Sequence, residues 1–314
     1  MKNIFKKYLL LGCAVLCAAF AAVCVRPSDA SAAAPLKVAA TSTLFADLTE
    51  RIGGDRVKVT AIASPRSNVH FYQPTPRDIR TVRNADLYVQ WGLDIEAWSD
   101  PLLEAAGKPS LFRKGSGNVD LSAGVPLLNM PSGSVSRAEG DIHLFGNPHF
   151  HMSPDNIRIM AGTLADRFKQ ADPEGSSAYD RNLKNFLERL DSKMLEWKDL
   201  CSSCAGKEII AYHDDTAYLT EFLGVKLEEY VEVKPGIPAT PQHLEYLQNY
   251  AEKHQVRAVT ISTYYPKNAA KGLAGKIGVP LVTLAQNAGE VPGTETVFGF
   301  FDYNINQIAG ALKA

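Results

Sequence analysis

The stretch YDRNLKNFLERLDSKMLEW, from Tyr179 to Trp197, governs how the rest of the chain is interpreted. Apolar or aromatic residues stand at positions 179, 183, 186, 187, 190, 194 and 197. This spacing keeps a helical period over about five turns, and charged residues fill the other face. A start near Pro173 and Glu174 suits a helix N-terminus. We therefore predict a long helix over residues 173–200 that connects two lobes rigidly.

Strand and helix patterns alternate on both sides of that helix. The predicted strands are 36–40, 57–63, 87–91, 207–212, 258–262 and 280–284. The predicted helices include 94–106, 215–223, 240–254, 267–277 and 304–313, and residues 113–142 read mostly as loop. Alternation of this kind predicts parallel sheets flanked by helices. The predicted fold is α/β, with an N-terminal lobe over 35–172 and a C-terminal lobe over 201–314.

Residues 1–34 have the features of a signal peptide. Lysines open the chain, an apolar run covers residues 8–25, and a small-residue stretch ends at Ala34. We predict cleavage and export. A membrane anchor is the first alternative, because about 18 apolar residues can span a bilayer. A lipoprotein anchored at Cys13 is the second, and we set it behind cleavage because the apolar stretch before Cys13 is short.

The charge balance argues against nucleic acid as a partner. Cleavage would remove Lys2, Lys6, Lys7, Arg26 and Asp29 from a chain of 33 basic and 34 acidic residues. The mature net charge is then about −4, because 29 basic and 33 acidic residues remain. A protein that binds the phosphate backbone needs a basic excess instead.

The mature chain keeps two cysteines, Cys201 and Cys204, in a Cys-Ser-Ser-Cys sequence. In an exported protein this pair predicts a disulfide. A redox dithiol is an alternative, but it requires a helix N-terminus to lower a thiol pKa, and this pair follows a helix. A Cys-Cys-His metal site is the third reading.

Three histidines stand in distant parts of the chain: His70, His149 and His213. His70 and His213 follow predicted strands, and His149 follows only a short run. In parallel sheets, ligands bind beyond the carboxyl ends of strands. Neutral imidazole is a common ligand for zinc-like ions. His149 and His151 are two residues apart and point to opposite sides if extended, so at most one of them faces a common site. Spacing alone leaves ordinary surface histidines as an alternative to a metal site.

Several motifs together resemble those of the zinc and manganese solute-binding proteins of ABC transporters. The family's His-x-Tyr-x-Pro-Thr/Ser-Pro-x-Asp is matched by the residues from His70 to Asp78. Its Asn-Gly-Leu-x-x-Glu-x-Trp is similar to Trp91–Trp98, and its Asp-Pro-His-x-Trp-Leu-Asp-Pro-x-Asn to Asn147–Asn156. A strand that ends in His-Asp and leads into an aromatic helix resembles Ala211–Phe222. The closing residues 303–308 also fit, and the likeness runs in order from about residue 36 to 314.

The resemblance implies two α/β lobes with a metal ion in the cleft between them. It carries ligand roles to His70, His149 and His213. A histidine at the third position resembles the zinc branch, since imidazoles suit Zn²⁺ and carboxylates suit Mn²⁺. We therefore expect Zn²⁺ rather than Mn²⁺.

The chain departs from the family at the fourth ligand, which is often an aspartate after the last strand. Residues 285–287 contain no acid. Glu290, Asp302 or a water is the expected substitute. His143, the one histidine in the loop over 113–147, is a further candidate, and His151 is interpreted as a residue at the cleft edge.

We expect Asp214, Asp215 or backbone carbonyls to orient the imidazoles. Glu232 lies near the cleft side and is expected to be a solvated acid.

The resemblance implies a periplasmic, high-affinity zinc-binding component that delivers its ion to an inner-membrane permease and performs no chemistry. We expect a monomer, with a metallochaperone as a further candidate partner. One alternative is a periplasmic zinc hydrolase, because three histidines plus an open position also describe a hydrolytic site. The other is a binder of a metal chelate such as a siderophore.

Overall fold

A computed structural model describes residues 34–130, 143, 145–234 and 236–313. The predicted signal peptide and the lipoprotein alternative at Cys13 therefore lie outside the described residues. Within the described part, no helix is both long and apolar enough to cross a membrane.

The first sheet is built from four parallel strands in the order β2-β1-β3-β4. Its strands are β1 (Leu36–Ala40), β2 (Val57–Ala61), β3 (Leu87–Gln90) and β4 (Asn118–Asp120). The helices of this part of the chain are α1 (Thr43–Gly53), α2 (Pro76–Arg83), α3 (Ser99–Ala106) and α4 (Pro154–Ala171). The register pairs Ala39 of β1 with Thr60 and Tyr88 on its two neighbours, so β1 is an inner strand.

The second sheet repeats this arrangement, with the order β6-β5-β7-β8. Its strands are β5 (Glu208–Ala211), β6 (Lys226–Tyr230), β7 (Ala258–Ser262) and β8 (Leu281–Leu284). The helices are α6 (Ala217–Leu223), α7 (Pro241–His254), α8 (Asn268–Ile277) and α9 (Val297–Lys313). All strand pairs are parallel, which confirms the predicted fold class.

The predicted connecting helix is α5 (Ser176–Leu200), which follows a 3-10 turn over Pro173–Gly175. Its buried residues are Tyr179, Phe186, Leu190, Met194 and Trp197, as the helical period indicates. They pack against α1 and α4 from the first half of the chain and α9 from the second half. The helix is thus fixed by burial on both sides. The lobe boundaries at 172 and 201 stay predictions.

Side-chain caps explain where the helices nearest the site begin. Ser42 accepts a hydrogen bond from the backbone N–H of Phe45, and Ser153 accepts one from Asn156. Thr75 and Asp78 form a reciprocal capping box at α2, with Pro76 in the first turn. Such caps satisfy backbone donors that a helix start leaves unpaired.

Four predicted element assignments differ from the structure. Strands β4 and β6 are absent from the prediction, because β4 has three residues and β6 carries Lys226 and Glu228 on its exposed side. Residues 94–98 form turns, and helix α3 begins only at Ser99. Helix α9 begins at Val297, seven residues before the predicted start, because its aromatic first turns are buried in the core.

The predicted disulfide joins Cys201 and Cys204, whose Cα atoms lie 5.1 Å apart. Both cysteines are buried at the end of α5. The bond therefore fixes the turn through which the connecting helix enters the second sheet.

Asp172, between α4 and α5, allows the contribution of a partly buried ion pair to the stability of the fold to be tested. Asp172 accepts two hydrogen bonds from Arg56, at 2.6 and 2.9 Å, and one from Tyr179 at 2.7 Å. The bond from Arg56 is the main reason that the pKa of Asp172 lies below the ordinary 3.8. We expect Asp172→Asn to lower the Tm by about 3 °C at pH 7.

The difference from wild type should shrink as the pH falls below 3.8, because the stabilisation requires the ionised carboxylate and is lost when it is protonated. Thermal unfolding followed by circular dichroism at pH 7 and pH 3 measures both effects. Asp180→Asn is the matched control, since Asp180 makes an exposed pair with Lys169. A Tm difference that is independent of pH would contradict this account.

Candidate metal centre

Three imidazoles meet where the two sheets approach each other. His70 lies in a 3-10 turn, Val69–Phe71, on the connection that leaves β2. His149 directly precedes the 3-10 turn Phe150–Met152 that leads into α4, and His213 follows β5 by two residues. One ring nitrogen from each of the three lies within 4.8 Å of the others.

The spacing suits a metal ion of zinc's size. Ligand nitrogens at 2.0–2.1 Å from a tetrahedral Zn²⁺ are about 3.3 Å from one another. The Nε2 atoms of His70 and His149 are 3.1 Å apart, so this pair already has that spacing. His213, on the second sheet, needs to approach by at most about 1.5 Å to complete a three-nitrogen face.

Hydrogen bonds to Nδ1 orient two of these rings. The Nδ1 of His149 is 3.0 Å from Oδ1 of Asn147, and the Nδ1 of His213 is 2.9 Å from Oε2 of Glu232. Both acceptors fix the tautomer that carries hydrogen on Nδ1 and leave Nε2 as a lone-pair donor. The Nε2 of His213 is buried and has no hydrogen-bond partner among the described residues.

The two oriented histidines differ in pKa. Burial, followed by the nearby imidazoles of His70 and His213, lowers the pKa of His149 well below the ordinary 6.5. Burial also opposes the charged form of His213, but the hydrogen bond to Glu232 and the charge of Asp215 raise its pKa above 6.5 overall. The surroundings therefore favour the neutral form of His149 and the protonated form of His213.

A fourth histidine stands beside the group. The ring centroid of His143 is 5.2 Å from that of His70 and 6.3 Å from that of His149. Imidazole rings around one tetrahedral ion have centroids about 5 Å apart. The Nδ1 of His143 is 2.8 Å from Oδ1 of Asp94, and its Nε2 is buried without a hydrogen-bond partner in the described chain.

The other predicted candidates have different roles. His151 is buried against Trp91, and burial lowers its pKa to about 3, so it is a core residue and not one at the cleft edge. Asp302 binds Trp197 and Lys193 on the connecting helix, away from the three histidines. The carboxylate of Glu290 accepts the backbone N–H groups of Gln286 and Asn287 and the hydroxyl of Thr263, so it serves the loop after β8.

The expected orienting acids are also placed differently. Asp214 binds the side chains of Asn129 and Tyr230, and Asp215 binds Ser262. Glu232, expected as a solvated acid, is 7% exposed and performs that role for His213. Glu232 follows β6 by two residues, so the missed strand explains why it was interpreted as solvated. Asn147 was visible in the sequence only as part of a motif.

A profile of the family described as zinc-uptake complex component A, periplasmic, matches residues 38–311. The chain is 24% identical over 299 residues to the manganese ABC transporter substrate-binding lipoprotein PsaA of Streptococcus mitis, covering 90% of this chain and 91% of PsaA. It is 25% identical over 291 residues to the iron-binding protein YfeA of Yersinia pestis, covering 90% and 88%.

Among solved structures, a crystal structure of ZnuA has a TM-score of 0.74 at 22% identity, covering 88% of this chain and 99% of that one. This likeness supports the two-lobed fold. The description of PsaA as a lipoprotein does not bear out our preference for a cleaved signal peptide over a lipid anchor.

Replacement of the carboxylate beside His213 tests the orienting bond in the metal-free protein. We expect Glu232→Gln to lower the pKa of His213, because the hydrogen bond to a carboxylate is lost while burial still opposes the charged ring and only the nearby aspartates still favour it. NMR titration of the ring carbon signals measures this pKa. Glu229→Gln is the matched control on β6, since Glu229 binds Tyr246 and not His213. An unchanged His213 pKa in Glu232→Gln would show that Glu232 does not set it.

Proposed function

The chain belongs to the family of periplasmic zinc-uptake component A proteins, and from that premise we propose that the ion it carries is Zn²⁺. The members of this family are metal-binding components of ABC transporters that bind substrate and perform no catalysis. Such components work with a permease in the inner membrane. The exported location and the transport role follow from membership of the family. The identity of the ion is our proposal.

The donor set is the observation that carries the proposal. His70, His149 and His213 supply three nitrogens within 4.8 Å of one another, and no carboxylate belongs to this group of described residues. Imidazole suits Zn²⁺, whereas carboxylates and carbonyls suit Mn²⁺. PsaA and YfeA are named for manganese and iron, so membership of the wider group leaves the ion open. The three-imidazole set supports zinc for this chain.

We propose His143 as the fourth donor. The chain has no acid at residues 285–287, and Glu290 and Asp302 already accept hydrogen bonds elsewhere. His143 offers a buried Nε2, and Asp94 holds its Nδ1 in the same way that Glu232 holds that of His213. Its ring nitrogens lie outside the group that falls within 4.8 Å, so His143 must move toward the other three histidines to bind the ion. A four-imidazole site keeps the donor set neutral throughout.

The size of the site argues against the chelate-binding alternative. Nitrogens within 4.8 Å of one another surround a bare ion and leave no volume for an organic chelator between them. Release to a permease then requires the sheet that carries His213 to move away from the pair formed by His70 and His149. A monomeric state and loading by a metallochaperone remain predictions.

The ligand assignment is tested by titrating metal-free protein with Zn²⁺ against a chelating dye. We expect one ion per chain, and at least about 100-fold weaker binding in His213→Ala, because a ligand is removed and Glu232 is left buried without its partner. His254→Ala is the control, since His254 stacks on Tyr250 near Glu208, at the opposite end of β5. Full stoichiometric, tight zinc binding by His213→Ala would contradict the assignment.

Affinity alone does not identify the ion carried, because Zn²⁺ binds nitrogen sites more tightly than Mn²⁺ in general. Uptake of radioactive zinc and manganese by cells that depend on this chain separates the two. We expect zinc uptake that is lost with His213→Ala and kept with His254→Ala. Manganese uptake that follows the same pattern, without zinc uptake, would refute the proposal.

X-ray absorption of the zinc-loaded protein tests the fourth donor. We expect four imidazole nitrogens around zinc in the wild type and three plus an oxygen in His143→Ala, with binding weakened about tenfold. Asp94→Asn should keep four nitrogens, because His143 remains in place. Three nitrogens and an oxygen in the wild-type protein would exclude His143 and leave water as the fourth ligand.

A further inference from the structure

Asn147 uses every polar group that it has. Its backbone N–H donates to the carbonyl of Leu128 at 2.8 Å, and its own carbonyl accepts the hydroxyl of Tyr218 at 2.7 Å. Its side-chain oxygen accepts both the backbone N–H of His149, at 2.9 Å, and the ring Nδ1 of His149, at 3.0 Å. Its side-chain nitrogen donates to the backbone carbonyl of Asp214 at 2.8 Å.

These contacts require an asparagine. The oxygen faces two N–H groups and the nitrogen faces a carbonyl, so the amide has one orientation that satisfies all three bonds. An aspartate would keep the acceptor for His149 but would set a second oxygen against the carbonyl of Asp214. An alanine would lose the hydrogen bonds to His149 and the hydrogen bond to the carbonyl of Asp214. Asn147 is 4% exposed, so water offers little replacement for any lost bond.

The two sides of this amide belong to different halves of the molecule. His149 leads into α4, beside the first sheet, and Asp214 directly follows the proposed ligand His213 at the end of β5. Two further hydrogen bonds join the same two parts of the chain. The hydroxyl of Tyr218, on α6, accepts the backbone N–H of Leu128, and the side chain of Asn129 donates to the carboxylate of Asp214.

We propose that Asn147 is the positioning residue that joins the two halves of the metal site. One end of its amide sets the tautomer of His149, and the other holds the backbone beside His213. The inference rests on the proposed function only in treating His149 and His213 as ligands. Its consequence is that a single side chain fixes both the direction of one ligand and the distance to the other.

The two ends of the amide are tested separately in metal-free protein. Nitrogen-15 shifts of the His149 ring report the tautomer, and amide hydrogen exchange over residues 212–219 reports the hold on the backbone after His213. We expect Asn147→Asp to keep the Nδ1–H tautomer and to speed exchange in this segment about five- to tenfold. Asn147→Ala should lose the tautomer preference and speed exchange as well.

Tyr218→Phe is the matched comparison, because Tyr218 contacts the backbone of Asn147 but not His149. We expect it to speed exchange and leave the His149 tautomer unchanged. Unchanged exchange in Asn147→Asp, or an unchanged tautomer in Asn147→Ala, would overturn the proposal. If Asn147→Ala does not fold, Asn147→Leu measures the same loss with a side chain of similar volume that has no hydrogen-bonding group. Since no metal is added, these results are independent of the zinc titration of His213→Ala.

Discussion

An imidazole can bind a metal ion only if one of its ring nitrogens is free of hydrogen and points at the ion, and the group bonded to the other nitrogen determines this. In this protein Asn147 and Glu232 perform that task for His149 and His213. Both acceptors are buried, so neither bond competes with solvent. The proposed site therefore depends on two hydrogen bonds that lie behind its proposed ligands.

The fold explains why these groups meet. All strands in both sheets are parallel, so each sheet gathers its outgoing connections at one edge. Helix α5 packs against helices from both halves of the chain, so it connects the two parts from which the histidines come. The ring nitrogen of His213 has to move at most about 1.5 Å closer to those of His70 and His149. A small adjustment at the interface is enough for this, and no large hinge motion is required.

Periodicity was sufficient to predict the scaffold from the sequence. The helical stripe of α5 and the β-branched inner strands are strong local signals, and both are present where they were expected. Strand β6 was missed because its pattern of exposed charges is that of a sheet edge, and its pairing with β5 is a tertiary contact. Without that strand Glu232 was interpreted as a solvated acid, whereas it is buried beside His213. Asn147 shows a different limit, because the direction of an amide is set by neighbours 67 residues away in the chain.

The two orienting groups also differ in charge, and this bears on how the ion is held. Glu232 is a carboxylate, so it strengthens His213 as a ligand and raises its pKa, whereas the amide of Asn147 is neutral and leaves His149 with a lowered pKa. The imidazoles of the proposed site are neutral donors, and the carboxylates of Glu232 and Asp94 bind the outer nitrogens of two of them without belonging to the donor set. Such a site binds through its geometry more than through its charge. When the two sheets separate, the imidazoles no longer surround the ion. The main attraction between the protein and the ion is then lost, so a receiving permease does not have to overcome it.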